Sequence, residues 1–313
     1  MPNSEGPLER SWPLPTPMGW YSAGYSDEFS LGRVEGRRFV GRELIVWRDL
    51  DGVAQVSAAF CPHLGAHLAV GGCVKGRELV CPFHEWRFDA TGTNTSIPYA
   101  ERTNAKARLR AYPTIERNGM VMFWFHPDSS VEPKWDIPEL EAVRDGQFLV
   151  RDEWIVETAW QEIAENAVDG AHFQFVHGTS SPGTVVSADF SGPVRSQRVA
   201  VEYNTAQGPL EGWQESTSYG PGFGVVQFHI FGDAWLITAN TPIERDRTQV
   251  RFAWVFADDA ISRRTGPKFA EEVRRQFNQD IPIWEHKAFI ASPALAPSEK
   301  AITQFRALSL IHI

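Results

Sequence analysis

The chain has 313 residues, of which 30 are Lys or Arg and 39 are Asp or Glu, so its formal net charge is −9. This acidic balance argues against a protein whose main partner is DNA or RNA. With 42% hydrophobic and 22% charged residues, the composition indicates a folded chain long enough for two domains. Three cysteines are too few for a secreted disulfide framework, so a reducing compartment, by default the cytoplasm, is expected.

Neither a signal peptide nor a membrane-spanning segment is expected. The first residues carry acids and prolines where a signal peptide has basic residues followed by an apolar run. Apolar stretches such as Met120–Phe125 are far shorter than the roughly 18–20 residues that a bilayer span requires. Contact with a membrane should therefore be peripheral at most.

Short apolar runs between about Trp20 and Phe125 predict a mostly antiparallel β domain. The runs are separated by Gly, Pro, Asp and Asn, which are turn formers. The segment 127–140 carries three prolines and is typical of a connector. We therefore predict a first domain over residues 1–130 and a second over 131–313.

The second domain is predicted to combine an antiparallel sheet with helices, which makes the fold class α+β. Apolar residues at three-to-four spacing predict a helix over 158–177. Alternating runs within 225–257 predict strands of a sheet with one buried face. Pro267 is expected to begin a C-terminal helix, which Pro282 kinks or divides.

Two loops of the first domain each combine one cysteine with one histidine. Cys61 and His63 form the first pair, and Cys81 and His84 the second. Thiolates and imidazoles together bind zinc or iron–sulfur clusters. Zinc fingers usually keep like ligands together, so the mixed pairs favour an iron–sulfur centre over zinc. Cys73 lies between the loops without a partner and is predicted to be a small buried structural residue.

A second group of polar residues occurs in the predicted helix 158–177. It consists of Asn166, Asp169, His172 and His177. Asp169 and His172 share a helix face, but His177 lies about 140° further round an ideal helix. Both histidines can face one metal only if the helix bends or ends between them. Taken alone, ordinary core packing explains two histidines in a Phe-rich segment equally well.

The order of the two motifs resembles that of the oxygenase component of Rieske non-haem iron oxygenases. The WPLPTPMGW, CPFHEWRFDATG and IPYAE segments are most similar to the 3-ketosteroid 9α-hydroxylase and cholesterol-desaturase-like group. The resemblance implies a Rieske domain followed by a helix-grip, START-like catalytic domain. It also implies a [2Fe–2S] cluster in which Cys61 and Cys81 bind one iron and His63 and His84 bind the other.

The resemblance further implies a mononuclear Fe(II) held by two histidines and one carboxylate. His172 and His177 match the histidines, and Asp280 is our choice for the carboxylate because it lies in a QD-x-x-I-W context. Three acids remain as alternatives to Asp280, namely Glu285, Asp258 and Asp259. His67 and His286 lie near the predicted ligands, but an ordinary surface or core role is the preferred interpretation for both.

Asp169 is implied to bridge His172 of one subunit and His84 of its neighbour, within a head-to-tail trimer. A carboxylate in this position fixes the orientation of a ligating imidazole and couples two metal centres. Asn166 is a candidate for supporting the same group, with helix capping or surface exposure as the equal alternative.

The implied activity is that of a terminal oxygenase. It uses O2 and electrons from a ferredoxin and/or a flavin reductase, with NAD(P)H and flavin acting only through that partner. An apolar, steroid-like or polycyclic substrate is expected, in contact with Phe173, Phe175, Val176, Phe228, Phe231 and Trp235. Three alternatives stay open: an aromatic dihydroxylating or O/N-demethylating oxygenase, a Rieske electron carrier, and a catalytically silent homologue.

Overall fold

The computed structural model describes residues 14–143, 150–179, 184–190, 192–205, 208–230 and 232–311. Contacts between Cα atoms divide the chain into two compact units. One is Met18–Gly146, and the other is built mainly from Gln147–Ile313. The predicted α+β fold, with a β-rich first part and a sheet-and-helix second part, is confirmed.

The described residues of the first unit form three small antiparallel sheets, with strand orders β1-β11-β10, β2-β3-β4-β9 and β5-β6-β7-β8. Two short 3-10 helices, Ser26–Glu28 and Glu141–Val143, also lie in this unit. The strands are β1 (Gly19–Tyr25), β2 (Val34–Phe39), β3 (Arg42–Arg48), β4 (Ala54–Ala58), β5 (Cys73–Lys75), β6 (Glu78–Val80), β7 (Arg87–Phe88), β8 (Asn94–Ser96), β9 (Ala111–Tyr112), β10 (Thr114–Arg117) and β11 (Met120–Phe125).

The apolar runs of the sequence became the buried strands of this unit. Strand β11 is buried along its whole length because it is the central strand of its sheet and is apolar at every position. A separate core cluster of apolar side chains packs beneath the two Cys–His loops and includes Cys61 and Cys81. The loops are therefore anchored on a rigid base.

The proline-rich segment packs against the first unit. The indole N–H of Trp20 donates to the carbonyl of Trp135 at 2.7 Å, and Asn118 Nδ2 donates to the carbonyl of Pro138 at 2.9 Å. Ile137 is fully buried. The division between the compact units therefore falls at residue 146, later than the predicted division after residue 130.

The second unit contains a seven-stranded antiparallel sheet with the strand order β12-β18-β17-β16-β15-β14-β13. A core cluster of apolar residues joins helix and sheet side chains on one face. The elements are β12 (Val150–Val156), α1 (Trp160–Asn166), α2 (Ala171–Phe175), β13 (Thr184–Asp189), β14 (Val194–Thr205), β15 (Gly208–Tyr219), β16 (Phe223–His229), β17 (Asp233–Glu244), β18 (Arg247–Phe256), α3 (Ala260–Trp284) and α4 (Lys300–Ile311).

Helix boundaries differ from two of the predictions. The helix expected over 158–177 is two helices, α1 and α2, separated by the four residues 167–170. Helix α3 begins at Ala260 and not at Pro267, because the Asp259 side chain caps it by accepting from two backbone N–H groups. Among the helices of the described residues, none is both long and apolar enough to cross a lipid bilayer.

Candidate metal centres

The two Cys–His loops, residues 61–66 and 81–86, have the same backbone hydrogen bonds. In each loop the cysteine N–H donates to the carbonyl five positions later, at 2.9 Å in both cases. The cysteine carbonyl accepts from the N–H four positions later, at 2.9 and 3.1 Å. That residue is Gly65 in one loop and Glu85 in the other, and both have a positive φ, 75° and 55°. The turns therefore present Cys and His side chains in the same way.

The four side chains of the loops face one another. The two thiols are 3% and 1% exposed, and burial together with the neighbouring Cys81 thiol raises the pKa of Cys61 to about 11. The rings of His63 and His84 lie with their centroids 4.8 Å apart. Nδ1 of His84 is buried and has no hydrogen-bond partner among the described residues. Two buried thiols and a bare imidazole nitrogen are a donor set that fits a [2Fe–2S] cluster of the Rieske type.

Aromatic side chains enclose these loops. The Trp86 ring is stacked on His63, with centroids 4.2 Å apart and an interplanar angle of 7°. Its indole N–H donates to the hydroxyl of Tyr99 at 2.8 Å. Cys73 is exposed on β5, so the prediction that it is a small buried residue is wrong; the short hairpin β5–β6 turns its side chain outward.

A second group of donor atoms lies in the other unit. One donor atom each from His172, His177 and Asp280 lies within 4.8 Å of the others. Helix α2 ends at Phe175, which releases His177 from the helix and lets both histidines face the same point. Asp280 comes from α3 and is 5% exposed. This meeting of two imidazoles and one carboxylate fits an Fe(II) site with open positions.

An oxygen atom beside Nδ1 of each histidine determines which ring nitrogen carries the hydrogen. Nδ1 of His172 contacts the backbone carbonyl of Asp169, which can only accept, so this nitrogen carries the hydrogen. Nδ1 of His177 lies 3.2 Å from Oε1 of Gln279. In both residues Nε2 is therefore the nitrogen left for a metal.

The side-chain amide of Asn166 contacts two of the three donor residues. Asn166 Nδ2 donates to Nε2 of His172 at 3.0 Å and to Oδ2 of Asp280 at 3.2 Å. Burial lowers the pKa of His172, which keeps this ring neutral. Burial also lowers the pKa of His177, but the hydrogen bond and charge of Asp280 outweigh it and raise the pKa overall.

The Asp169 carboxylate has a different contact from its carbonyl. Its Oδ1 accepts from the backbone N–H groups of Ala171 at 3.1 Å and His172 at 3.4 Å, at the start of α2. The carbonyl, and not the carboxylate, therefore orients the His172 ring within the chain.

Family models match both units of the chain. Residues 19–113 match the Rieske [2Fe-2S] domain, and residues 123–308 match the 3-ketosteroid 9alpha-hydroxylase C-terminal domain. The chain belongs to the Rieske oxygenases. Like its relatives of this type, the oxygenase component is an oxidoreductase.

Two curated relatives and one solved structure illustrate the similarity. The oxygenase is 32% identical to cholesterol 7-desaturase nvd of Xenopus laevis, over 93% of this chain and 70% of the relative. It is 30% identical to the 3-ketosteroid-9-alpha-monooxygenase oxygenase component of Mycolicibacterium smegmatis, over 92% and 80%. It shares its fold with dicamba monooxygenase bound to dicamba, with a TM-score of 0.73 and 18% identity over 94% of this chain and 97% of that chain.

The three alternative acids, Asp258, Asp259 and Glu285, have partners other than the two histidines. Asp259 caps α3, and Asp258 forms an ion pair with Arg263. Glu285 accepts from the backbone N–H of Glu157 at 3.2 Å. His286 is exposed, with its ring against the carbonyl of Pro282.

A cavity of about 240 Å³ adjoins the three donor residues, which form part of its wall. Of the predicted contact residues that the structure describes, Phe173 and Phe228 line the cavity, whereas Phe175, Val176 and Trp235 do not. Phe231 lies outside the described residues. Trp235 is on the other face of β17 from the lining residue Thr238, because side chains alternate along a strand.

Two residues of the second unit were not identified from the sequence. Gln279, which contacts His177, precedes Asp280 in the QD pair, so its position beside the predicted ligand was an available signal. Arg195 lines the cavity but lies in a strand of mixed polar residues, where no local pattern distinguishes it.

Proposed function

We propose that this Rieske oxygenase holds a [2Fe–2S] cluster in its two Cys–His loops and a mononuclear Fe(II) at His172, His177 and Asp280. In this proposal it hydroxylates an apolar, steroid-like or polycyclic substrate. The observation that carries the proposal is the position of the three donors, which lie within 4.8 Å of one another in the wall of a cavity. A Rieske electron carrier has no use for a second set of metal ligands beside a cavity.

The two metal centres would supply the redox chemistry. When bound, the cluster supplies single electrons, and the Fe(II) offers open positions where dioxygen is activated for insertion into a C–H bond. The protein supplies orientation and the exclusion of water. The Asp169 carbonyl and Gln279 Oε1 hold the two histidine rings, and Asn166 holds Asp280 from the side of His172.

Electron delivery is proposed to cross a subunit boundary. Asp169 would bridge His172 to His84 of a neighbouring copy in a head-to-tail trimer, as the family resemblance implies, with its carbonyl on the His172 ring and its carboxylate directed to His84. A ferredoxin and/or a flavin reductase would reduce the cluster, using NAD(P)H. We further propose a cytoplasmic location, because the cluster ligands require reduced thiols.

The substrate class is proposed from the relatives and the cavity wall. The curated relatives are named for 3-ketosteroid 9α-monooxygenation and for cholesterol 7-desaturation. Aromatic side chains, including Phe173, Phe228 and Phe252, line much of the cavity. This apolar lining suits a fused-ring hydrocarbon body.

The first test is iron and acid-labile sulfide per chain in anaerobically purified protein, with an EPR spectrum after reduction. We expect about three iron and two sulfide, with a Rieske-type signal. His84→Ala should remove the sulfide and leave about one iron, because the mononuclear ligands are untouched. His67→Ala is the matched control in the same unit. Zinc without labile sulfide in the purified protein would contradict the proposal.

Turnover is the second test. Dioxygen consumption with a reductase and a panel of steroid and polycyclic compounds should yield a hydroxylated product. Desaturated, dihydroxylated or demethylated products would reassign the reaction within the family.

A further inference from the structure

Arg195 lies on the inner face of the sheet, in the wall of the cavity. It is on β14, directly opposite Ser218 of β15, and is 7% exposed. Its strand neighbour Arg198 is on the other face, where it is exposed and pairs with Glu215. The sheet thus places one arginine in water and the other in the cavity wall.

The guanidinium of Arg195 is incompletely partnered. Nη2 donates to Ser218 Oγ at 3.0 Å, and the group lies over the Phe305 ring at 5.2 Å. Nη1 is buried and has no hydrogen-bond partner among the described residues. Burial lowers the pKa of Arg195 to about 10, and no acidic side chain of the described residues offsets that effect. Arg195 therefore remains charged at neutral pH without a counter-ion, which is strongly unfavourable for a buried cation.

A row of directly paired residues leads from Arg195 across the sheet. Ser218 is opposite Gly224, Gly224 is opposite Thr238, and Thr238 is opposite Phe252. All five residues line the cavity. A Cβ at Gly224 would lie 2.9 Å from Thr238 Oγ1, so the glycine keeps the middle of this row open.

The far end of the row reaches the helix that carries Asp280. The Phe252 ring packs against Phe277 of α3, with centroids 4.9 Å apart, and Phe277 lies one turn before Asp280. Four strand spacings of about 4.8 Å separate β14 from β18, which gives the row a length of ~19 Å. The row therefore runs along the cavity wall from a buried cation, Arg195, to an aromatic ring, Phe252, that packs against the helix carrying Asp280.

We propose that Arg195 binds a carboxylate at one end of the substrate, so that this oxygenase acts on an apolar carboxylic acid. The carboxylate would supply the missing counter-charge and accept from Nη1, while Ser218 holds the other guanidinium nitrogen. A keto or hydroxyl oxygen could accept from Nη1 but would leave the charge unbalanced. The expectation that a C–H bond of the same substrate is oxidised at the three donor residues rests on the proposed function, whereas the carboxylate contact does not.

Binding can be measured without turnover, by calorimetry on the purified holoenzyme. The probes are phenylbutyric, pyrenebutyric and dehydroabietic acids, each beside the matching primary alcohol. We expect at least one acid to bind roughly tenfold to a hundredfold more tightly than its alcohol, because the alcohol can accept from Nη1 but supplies no charge to balance the guanidinium. Equal affinities throughout the panel, or binding of no acid, would overturn the proposal.

Variants assign the preference to Arg195. In Arg195→Met the preference for the acid should disappear, in Arg195→Lys it should survive in part, and in the control Arg198→Met it should be unchanged. Arg195→Met should melt no lower than the wild type, because it replaces an unpaired buried charge with an apolar side chain. An undiminished preference in Arg195→Met would overturn the proposal, and if that variant does not fold, Arg195→Lys provides the same test.

The metal content of the same samples separates this inference from the proposed function. If the acid preference is present in protein that lacks mononuclear iron even after Fe(II) addition, the carboxylate site stands and the iron assignment fails. If iron and sulfide are as expected and no acid is preferred, the oxygenase assignment stands and the carboxylate site fails.

Discussion

Oδ2 of Asp280 lies 3.3 Å from Nε2 of His177, and both side chains are almost fully buried. The same carboxylate oxygen accepts from Asn166, so it is directed at the point where the two imidazoles converge. A buried carboxylate in this setting is costly unless it is paired, which explains why its nearest neighbours are hydrogen-bond donors. These contacts make Asp280 the residue whose substitution separates the two proposed centres most cleanly.

Asp280→Ala should lose the mononuclear iron and retain the cluster. We expect total iron to fall from about three to about two per chain, with two sulfides and the reduced EPR signal unchanged. Asp258→Ala is the control, because that carboxylate is exposed and pairs with Arg263 at the start of the same helix. Loss of sulfide in Asp280→Ala, or an unchanged iron content, would contradict the ligand assignment.

Gln279→Ala should weaken the mononuclear iron without removing a ligand. Its Oε1 accepts from Nδ1 of His177 and so holds the ring with Nε2 toward Asp280. Loss of such a support typically reduces metal affinity by about 10- to 100-fold. The measurement is competition for Fe(II) with a chelator. Gln279→Glu retains the acceptor and should recover most of the affinity, whereas equal loss in both variants would point to a general disturbance of α3.

Trp86→Ala should shorten the lifetime of the cluster in air. The indole covers the His63 ring at 4.2 Å, and its N–H is fixed by Tyr99. Without the ring, water and oxygen gain access to the loops. The decay of visible absorbance and of labile sulfide reports this change. Trp86→Phe retains the stacking, so its cluster should decay at a rate between those of Trp86→Ala and the wild type. If it decays as fast as in Trp86→Ala, the hydrogen bond to Tyr99, and not the stacked ring, protects the cluster.

The first unit should lose stability in acid, because protonation of Glu116 breaks its ion pair with Arg48. Two 2.8 Å contacts join these side chains and connect β3 with β10. Burial raises the pKa of Glu116, but the hydrogen bonds and the charge of Arg48 act against it, and the pKa lies below its ordinary value of 4.5. The folded state thus favours the ionised carboxylate. The ionised Glu116 carboxylate therefore stabilises the folded state fully above pH 4.5. This stabilisation is lost as the pH falls through the lower pKa of the folded state.

Glu116→Gln tests this pH dependence. We expect the free energy of unfolding to fall by about 1 kcal/mol at neutral pH. The loss is small because the glutamate side chain is partly exposed to water. The difference in melting temperature between the variant and the wild type should narrow below pH 4.5. There Glu116 of the wild type becomes protonated and is neutral, like the glutamine of the variant. The exposed pair of Arg38 and Glu43 supplies the control, since Glu43→Gln should have almost no effect. A difference that is constant with pH would show that the charge of Glu116 does not matter.

Local signals explain what could be predicted from the sequence. The Cys–His loops are short, so their residue types and spacing already determine which side chains meet. The two histidines and Asp280 were predicted to gather, and the condition that the helix must end between His172 and His177 is met at Phe175. The strands followed from runs of apolar residues bounded by turn formers.

What was not predicted depends on register and tertiary packing. Trp235 is aromatic and close in sequence to Phe228, yet the pleat of β17 turns it to the other face. The start of α3 was set by a capping Asp259, whose role competes with the more visible Pro267. Arg195 and Ser218 are unremarkable in the sequence, and only the pairing of β14 with β15 brings them together in the cavity wall.

The donor set of the second site has a consequence for metal selectivity. Two imidazole nitrogens and one carboxylate oxygen are borderline ligands that bind zinc and copper more strongly than Fe(II) along the Irving–Williams series. Nothing in the hydrogen bonds to Asp169, Gln279 or Asn166 discriminates against the competitors. The identity of an ion bound by His172, His177 and Asp280, as proposed, would therefore reflect which metal the cell supplies. Protein produced in zinc-rich medium should carry zinc in this site beside an intact iron–sulfur cluster.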